Sequence, residues 1–405
     1  MAVGPDTLPM LYPVAGFRLG IASAGIKKPG RKDVVVMELA EGATVAGVFT
    51  TNAFCAAPVT LCKKHMSQVA SRYLLVNTGN ANAGTGQQGM LDAQASCQAL
   101  AQLTGQPVAS VLPFSTGVIG EKLPVDKIIA ALPAALEGLS ETNWEQAATG
   151  IMTTDTRPKA ASIQFEWQGK TITLTGISKG AGMIKPNMAT MLGYAATDAA
   201  VSQELLQCLL RESAEKSFNR ITIDSDTSTN DACMLVATGA VGVEVSEANP
   251  ALLALFRKHL QALMLQLAHA IVRDGEGATK FVTVQIDAAA TTQEALDTAY
   301  AIAHSPLVKT ALFASDPNWG RILAVVGRAG LQDLDVDQLE IYLGDVCIVR
   351  DGGRAAEYTE SAGQAVMNGE EITIRVVLNR GTITETVWTT DLSHDYVSIN
   401  ADYRS

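Results

Sequence analysis

Positive charge is scarce in this chain, and so are aromatic rings. Lys and Arg number 30 against 41 Asp and Glu, giving a formal charge of −11 that is spread without an acidic tail. No basic stripe exists to neutralise phosphates, which argues against a nucleic-acid partner. An anionic small substrate would need a local positive pocket against that background. Aromatic residues make up 5%; abundant Ala and 34 Gly imply tightly packed helices and many turns. No C-x-x-C pair occurs among Cys55, Cys62, Cys97, Cys208, Cys233 and Cys347. These thiols lie mostly in apolar runs, and a chain this long needs no disulfide staples. His65, His259, His269, His304 and His394 show no paired ligand spacing, so no metal is expected. Residues 1–30 lack a signal or presequence pattern. The longest apolar stretch, Pro250 to Val272, is broken by Arg257, Lys258, His259, Gln261 and Gln266. It reads as a core helix of about 22 residues and not as a membrane span. The expectation is a cytosolic protein.

A length of 405 residues with 47% apolar content suggests two or three well-buried domains. Strands are expected at Val34–Leu39, Thr44–Thr50, Tyr73–Val76 and Thr171–Thr175, with helices at Leu91–Leu103 and Val125–Leu136. Ser202–Phe218 reads as a helix, Ile221–Ile223 and Leu235–Val245 as strands. Phe281–Ile286 follows as a strand, and Thr291-x-x-Glu294 forms a capping box for a helix over Gln293–His304. Strands are then expected at Leu323–Val326, Leu339–Leu343, Ile372–Leu378 and Thr382–Trp388. The turns Gly344-Asp345 and Asn379-Arg-Gly381 suggest antiparallel pairing. This is an α/β (α+β) pattern with a boundary near residue 281: a larger domain over 1–281 and a smaller α/β domain over 282–405.

Two motifs match familiar signatures but lack the right context. Gly84-Thr-Gly-Gln-Gln-Gly89 fits G-x-G-x-x-G, yet its strand is expected to end at Val76, and residues 93–120 hold no Asp or Glu for a ribose. Gly176-Ile-Ser178-Lys-Gly180 fits the nucleophile elbow, yet Gly180, Gly182 and Pro186 follow it where a helix is required.

The most informative stretch is Lys179-Gly-Ala-Gly-Met-Ile-Lys-Pro-Asn-Met-Ala-Thr190-Met-Leu. A threonine hydroxyl is a poor nucleophile without a base. Cutting the chain before Thr190, at Ala189–Thr190, would supply its own α-amine as that base. With a reference pKa of about 7.7–8.0, an α-amine suits the task. The other reading is a Gly-rich loop feeding a buried strand. Thr116-Gly117 can offer a hydroxyl and a backbone N–H to one oxygen, or be an ordinary turn. Lys179 can pair with a substrate carboxylate or be solvated. Glu276, between glycines, can face a cationic amine or lie in a solvated acidic loop. Thr153 lies in a Thr-rich polar loop.

That segment resembles the self-cleaving ornithine acetyltransferase (glutamate N-acetyltransferase) family of arginine biosynthesis. The resemblance extends through Leu75–Asn82, Ser115–Gly120, Met152–Thr156, Asp224–Asp231, Arg273–Lys280, Ser315–Arg321 and Tyr396–Ser405. It implies a layered helix–sheet sandwich and a cut into chains 1–189 and 190–405, paired as a heterotetramer of two each. It implies acetyl transfer from N2-acetyl-L-ornithine to L-glutamate through an acetyl-Thr190 ester, with Thr116 and Gly117 holding the oxyanion. Substrate contacts map onto Thr153, Lys179, Thr190, Glu276, Asn400 and Ser405, the C-terminal tail closing the site. No cofactor is implied; some members accept acetyl-CoA as donor, and no residue here decides that. Two departures stand out: Ser225 where the family has glycine, and Ser405 where threonine is frequent. Competing readings are a self-activated N-terminal-nucleophile amidohydrolase or aminopeptidase, and a non-catalytic amino-acid sensor.

Overall fold

A computed structural model describes residues 2–5, 7–185 and 191–402. It divides into a larger unit, Thr7–Asn219 with Asp226–Ile271, and a smaller unit, Met1–Asp6 with Arg220–Ser225 and Val272–Ser405. The division falls at Ile271/Val272 and not near 281, so the Glu276 loop belongs to the smaller unit.

The larger unit carries strands β1 (Phe17–Ala22), β2 (Val34–Leu39), β3 (Thr44–Phe49), β4 (Tyr73–Asn80), β5 (Val111–Val118), β6 (Lys159–Trp167), β7 (Lys170–Lys179), β8 (Leu192–Thr197), β9 (Ala200–Val201), β10 (Ala232–Ala237) and β11 (Glu244–Val245). Its helices are α1 (Ala57–Met66), α2 (Gly86–Thr104), α3 (Val125–Glu137), α4 (Trp144–Gly150), α5 (Gln203–Glu215) and α6 (Pro250–Arg273), the last up to Ile271. One sheet has the order β1-β2-β4-β5, a second β3-β10-β8-β7-β6, and β9 and β11 pair as a short third. The period-2 alternation of a strand explains the layers. On β2, Val35 and Met37 join the core shared with Tyr194 and Met234 of the second sheet, while Val34 and Val36 face Leu100 of α2 and Leu132 of α3. Burial on both faces makes β2 read as one apolar run. On the second sheet's other side, Leu267 of α6 would lie 2.9 Å from a Cβ on Gly176 of β7. The result is a helix–sheet–sheet–helix sandwich. Edge strand β3 is closed by α5: Gln203 and Gln207 each pair their amide with the N–H and C=O of Val45 and Gly47.

The smaller unit holds β12 (Phe281–Ala289), β13 (Glu340–Leu343), β14 (Val346–Arg350), β15 (Gly353–Arg354), β16 (Glu371–Val377) and β17 (Ile383–Thr390), with α7 (Thr292–Ala303), α8 (Pro306–Phe313), α9 (Trp319–Gly327), α10 (Glu360–Met367) and α11 (His394–Ala401). Its sheet order is β15-β14-β13-β16-β12-β17. Its core packs Val284, Ile286, Ile341, Ile374 and Val387 against Ala299, Ile302 and Ile322.

Several expectations change. Leu323–Val326 is helical, not a strand: Asn318 caps α9 by accepting from Arg321 N at 3.2 Å, and Ile322, Val325 and Val326 are buried at helical spacing. A four-residue apolar run cannot separate the two periods, and the cap was the informative signal. β16 and β17 run on either side of β12, so Asn379–Gly381 steps over a strand and joins no direct pair. Ile221 makes a single bridge to Trp388, and β10 stops at Ala237. β4 runs on to Asn80, past the expected Val76. The capping box at Thr291 forms as expected, Thr291 Oγ1 accepting from Glu294 N at 3.1 Å. Four cysteines are buried and all six are free. No helix among the described residues is long and apolar enough to cross a membrane.

Candidate active site

In the larger unit the site begins where β4 and β5 lose register. Thr78 pairs with Thr116 and Gly79 with Gly117, but Asn80 then opposes both Thr116 and Val118. Such a bulge twists the strand and re-aims its side chains. Gly117 sits at φ 136°, and a Cβ there would lie 2.3 Å from the Gly79 carbonyl carbon. Glycine is therefore required by the close approach of two backbones, and its N–H stays at a half-buried position. A buried amide network holds the bulge. Ser115 Oγ donates to Asn77 Oδ1 at 2.6 Å, Asn77 Nδ2 to Asn80 O at 2.9 Å, and Asn230 Nδ2 to Ser115 O at 2.9 Å.

Lys179 ends β7 and pairs across the sheet with Leu192, the first residue of β8. It is 9% exposed, and its Nζ donates to Thr116 Oγ1 at 3.3 Å. Beside it lies Asp155, a buried carboxylate. Asp155 Oδ1 accepts from Lys159 Nζ at 2.5 Å and Gly180 N at 2.7 Å; Oδ2 accepts from Thr153 N at 2.8 Å. Burial pushes Asp155 up, but the Lys159 and Lys179 ammonium groups and these hydrogen bonds outweigh it and hold the carboxyl well below its usual range. Asp231 behaves oppositely. Burial drives it well above the usual carboxylate range, despite hydrogen bonds from Ser228 and Met191 and the charge of Lys179. Thr116, Gly117, Thr153 and Lys179 are thus brought together, Thr153 through Asp155.

Sequence reasoning missed Asp155, Lys159 and Asp231 as site residues. Asp155 and Asp231 lie inside the polar blocks Met152–Thr156 and Asp224–Asp231, but only burial distinguishes them from solvated acids. Ser178 of the rejected elbow is inside β7 and donates to Leu267 O at 3.2 Å, a structural contact. The Gly84–Gly89 loop is tied inward by Asn82, whose Nδ2 donates to Gly89 O at 2.8 Å. Among the described residues no group of three His, Cys, Asp or Glu is placed to hold a metal.

The smaller unit carries the remaining described candidates. Asn400 of α11 donates through Nδ2 to Glu276 Oε2 at 2.8 Å. Ser393 caps that helix and donates to Gly277 O at 2.7 Å, while Tyr396 OH reaches Asp224 Oδ2 at 3.1 Å. Gly277 has φ 68°, and a Cβ on it would lie 2.5 Å from Ser393 Oγ. The C-terminal helix is thereby seated on the Glu276 loop. Ser225 has φ 68° as well. A side chain in this left-handed region costs about 1–2 kcal/mol, which explains why glycine suits the position and why the serine is a departure. Ala189, Thr190 and Ser405 lie outside the described residues.

The profile of the ArgJ family matches residues 18–405. Two relatives, each an "Arginine biosynthesis bifunctional protein ArgJ", come from Pseudomonas fluorescens (strain Pf0-1) and Pseudomonas syringae pv. tomato (strain ATCC BAA-871 / DC3000). Each is 65% identical over 406 residues, covering 100% of both chains. The crystal structure of the arginine biosynthesis bifunctional protein from Bacillus halodurans is 37% identical with a TM-score of 0.50, covering 52% of this chain and 99% of that one. A match running from Arg18 to the last residue, with relatives aligned along their whole length, leaves one assignment: the chain belongs to the ArgJ family.

Proposed function

We propose that this chain cuts itself at Ala189–Thr190 and then moves the acetyl group of N2-acetyl-L-ornithine to L-glutamate through an acetyl ester on Thr190. The observation that carries the reading is the Lys179 Nζ donating to Thr116 Oγ1 beside Gly117. A hydroxyl that accepts from an ammonium group keeps its own hydrogen for another acceptor and becomes a stronger donor. Thr116 O–H and Gly117 N–H then form a two-donor oxyanion site.

The steps follow. Thr190 Oγ attacks the acetyl carbonyl carbon, and the freed α-amine takes the hydroxyl proton. The tetrahedral oxyanion rests on Thr116 and Gly117. It collapses with release of ornithine, whose nitrogen takes the proton from the α-amine. Glutamate enters, its amine attacks the ester, and acetylglutamate leaves while the proton returns to Thr190 Oγ. Two substrates sharing one covalent intermediate give ping-pong kinetics. Glu276, held by Asn400, would face the ornithine side-chain ammonium, and Lys179 with Thr153 the substrate carboxylate end; Ser405 would complete the tail. Acetyl-CoA is proposed as a second donor to the same hydroxyl; the relatives' names as bifunctional proteins support this. No cofactor takes part. Chains 1–189 and 190–405 would pair as a cytosolic heterotetramer of two each.

The test is product stoichiometry. Acetyl-ornithine with glutamate should give acetylglutamate and ornithine in equal amount, with little acetate, because the site holds an amine against the ester and excludes water. Acetate matching ornithine, with no response to glutamate, would make the chain an N-terminal-nucleophile amidohydrolase instead.

A further inference from the structure

We propose that the turn over residues 27–32 of the larger unit holds the phosphate groups of acetyl-CoA while the acetyl end of that donor enters beside Gly117. The proposal rests on the second-donor reading above and names where the donor's charged end binds. Four of the chain's 30 Lys and Arg fall within these six residues, as Lys27, Lys28, Arg31 and Lys32. A chain of net charge −11 repels a coenzyme that carries a pyrophosphate and a further phosphate, unless cations are gathered where it enters.

The turn is held in place at several points. Pro29 and Gly30 form its middle, Gly30 at φ 75°, and Arg31 N donates to Lys28 O at 3.5 Å, the pattern of a type II turn. Asp33, the only acid in 24–33, is buried, and its carboxylate accepts from Ala24 N at 2.6 Å and Ile26 N at 2.7 Å. Lys127 of α3 donates to Gly25 O at 2.7 Å. The two arms of the turn reach both walls of the site. Arg31 Nη2 donates to Met152 O at 2.7 Å and to Thr153 O at 3.0 Å. On the other arm, a Cβ on Gly79 would lie 3.1 Å from Lys27 Cβ and 3.5 Å from Lys27 N. Gly79 is the residue that pairs with Gly117, so the cations start one strand away from the Thr116 and Gly117 donors.

Arg31 is half-buried and engaged with carbonyls, whereas Lys27, Lys28, Lys32 and Lys127 are exposed. Nothing lies within 4 Å of a Cβ on Gly30, so the space over the turn is open. Exposed ammonium groups suit the outer end of a long donor, whose phosphates stay at the surface while its thioester reaches inward. An amino-acid substrate is too short to use them, since its carboxylate lies close to the reacting carbonyl, where Lys179 stands.

The test compares wild type with the full-length double variant Lys28→Glu, Lys32→Glu, which keeps Arg31 and the turn. Initial rates are measured with glutamate as acceptor and three donors: acetyl-CoA, the phosphate-free thioester S-acetyl-N-acetylcysteamine, and acetyl-ornithine. With acetyl-CoA, kcat/KM of the variant should fall by about 10-fold or more, mostly through KM, and the wild-type advantage should shrink as salt is raised. With the other two donors the variant should stay within about 2-fold of wild type. An unchanged KM for acetyl-CoA, or an equal loss with all three donors, overturns the proposal. So does a wild-type kcat/KM for acetyl-CoA that ignores salt, a result independent of any variant. A wild type that turns over acetyl-ornithine but takes no acetyl group from acetyl-CoA would instead remove the second-donor reading, and the phosphate site with it.

Discussion

One ammonium group, that of Lys179, acts on three neighbours. It donates to Thr116 Oγ1, helps hold Asp155 ionised and pulls against the burial of Asp231. Nothing about Lys179 in the sequence separates it from a solvated lysine; its 9% exposure does. Thr116 is the residue where this arrangement is most easily tested. Thr116→Ala should lower kcat by about 10²–10³ while KM changes little, because the lost donor serves the transition state. Steady-state kinetics on both substrates would show it, and Thr116→Ser should restore most of the rate. A change confined to KM would reduce Thr116 to a wall of the pocket. Gly117 is a poor probe of the same idea: any side chain there meets the Gly79 backbone and damages the bulge first.

At the scale of elements, the site hangs on places where strands end or slip. The β4–β5 bulge presents Thr116 and Gly117, the end of β7 presents Lys179, and the start of β6 sends Lys159 back to Asp155. That last pair is fully buried, with side-chain exposures of 1% and 0%. Lys159→Met should destabilise the chain by about 3 kcal/mol, since it leaves a buried carboxylate short of its nearest cation. Chemical denaturation of both forms at neutral pH would measure it. The depressed folded pKa of Asp155 means that its contribution is present at neutral pH. It is lost as pH falls below about 4, so the difference between wild type and variant should shrink there. An unchanged difference in acid would point to packing and not charge. Strands buried on both faces, such as β2 and β4, were legible as apolar runs, and the capped helix α7 was legible from Thr291 and Glu294. α9 was not, because four apolar residues fit either period. The separation of β16 from β17 was not either, because β12 comes from far upstream and a turn sequence carries no record of a strand inserted between its arms.

For the whole molecule, the division of labour differs from a simple cut near residue 281. Thr116, Gly117, Thr153 and Lys179 belong to the larger unit; Glu276 and Asn400, joined to each other, belong to the smaller. Residue type marked Thr116, Gly117 and Glu276, a hydroxyl next to glycine and an acid between glycines, whereas Thr153, Lys179 and Asn400 were singled out through the family resemblance. The sequence could not mark Asp155, Lys159 or Asp231, whose importance comes from burial and from neighbours brought by sheet pairing. The central claim is a covalent acetyl ester on a threonine exposed by self-cleavage, and an intact-mass measurement reaches it most directly. Purified protein should show masses for 1–189 and 190–405, and acetyl-ornithine alone should add one acetyl group to the second fragment, removed again by glutamate. A single uncut chain, a cut at another bond, or a second fragment that gains no acetyl group would contradict the account.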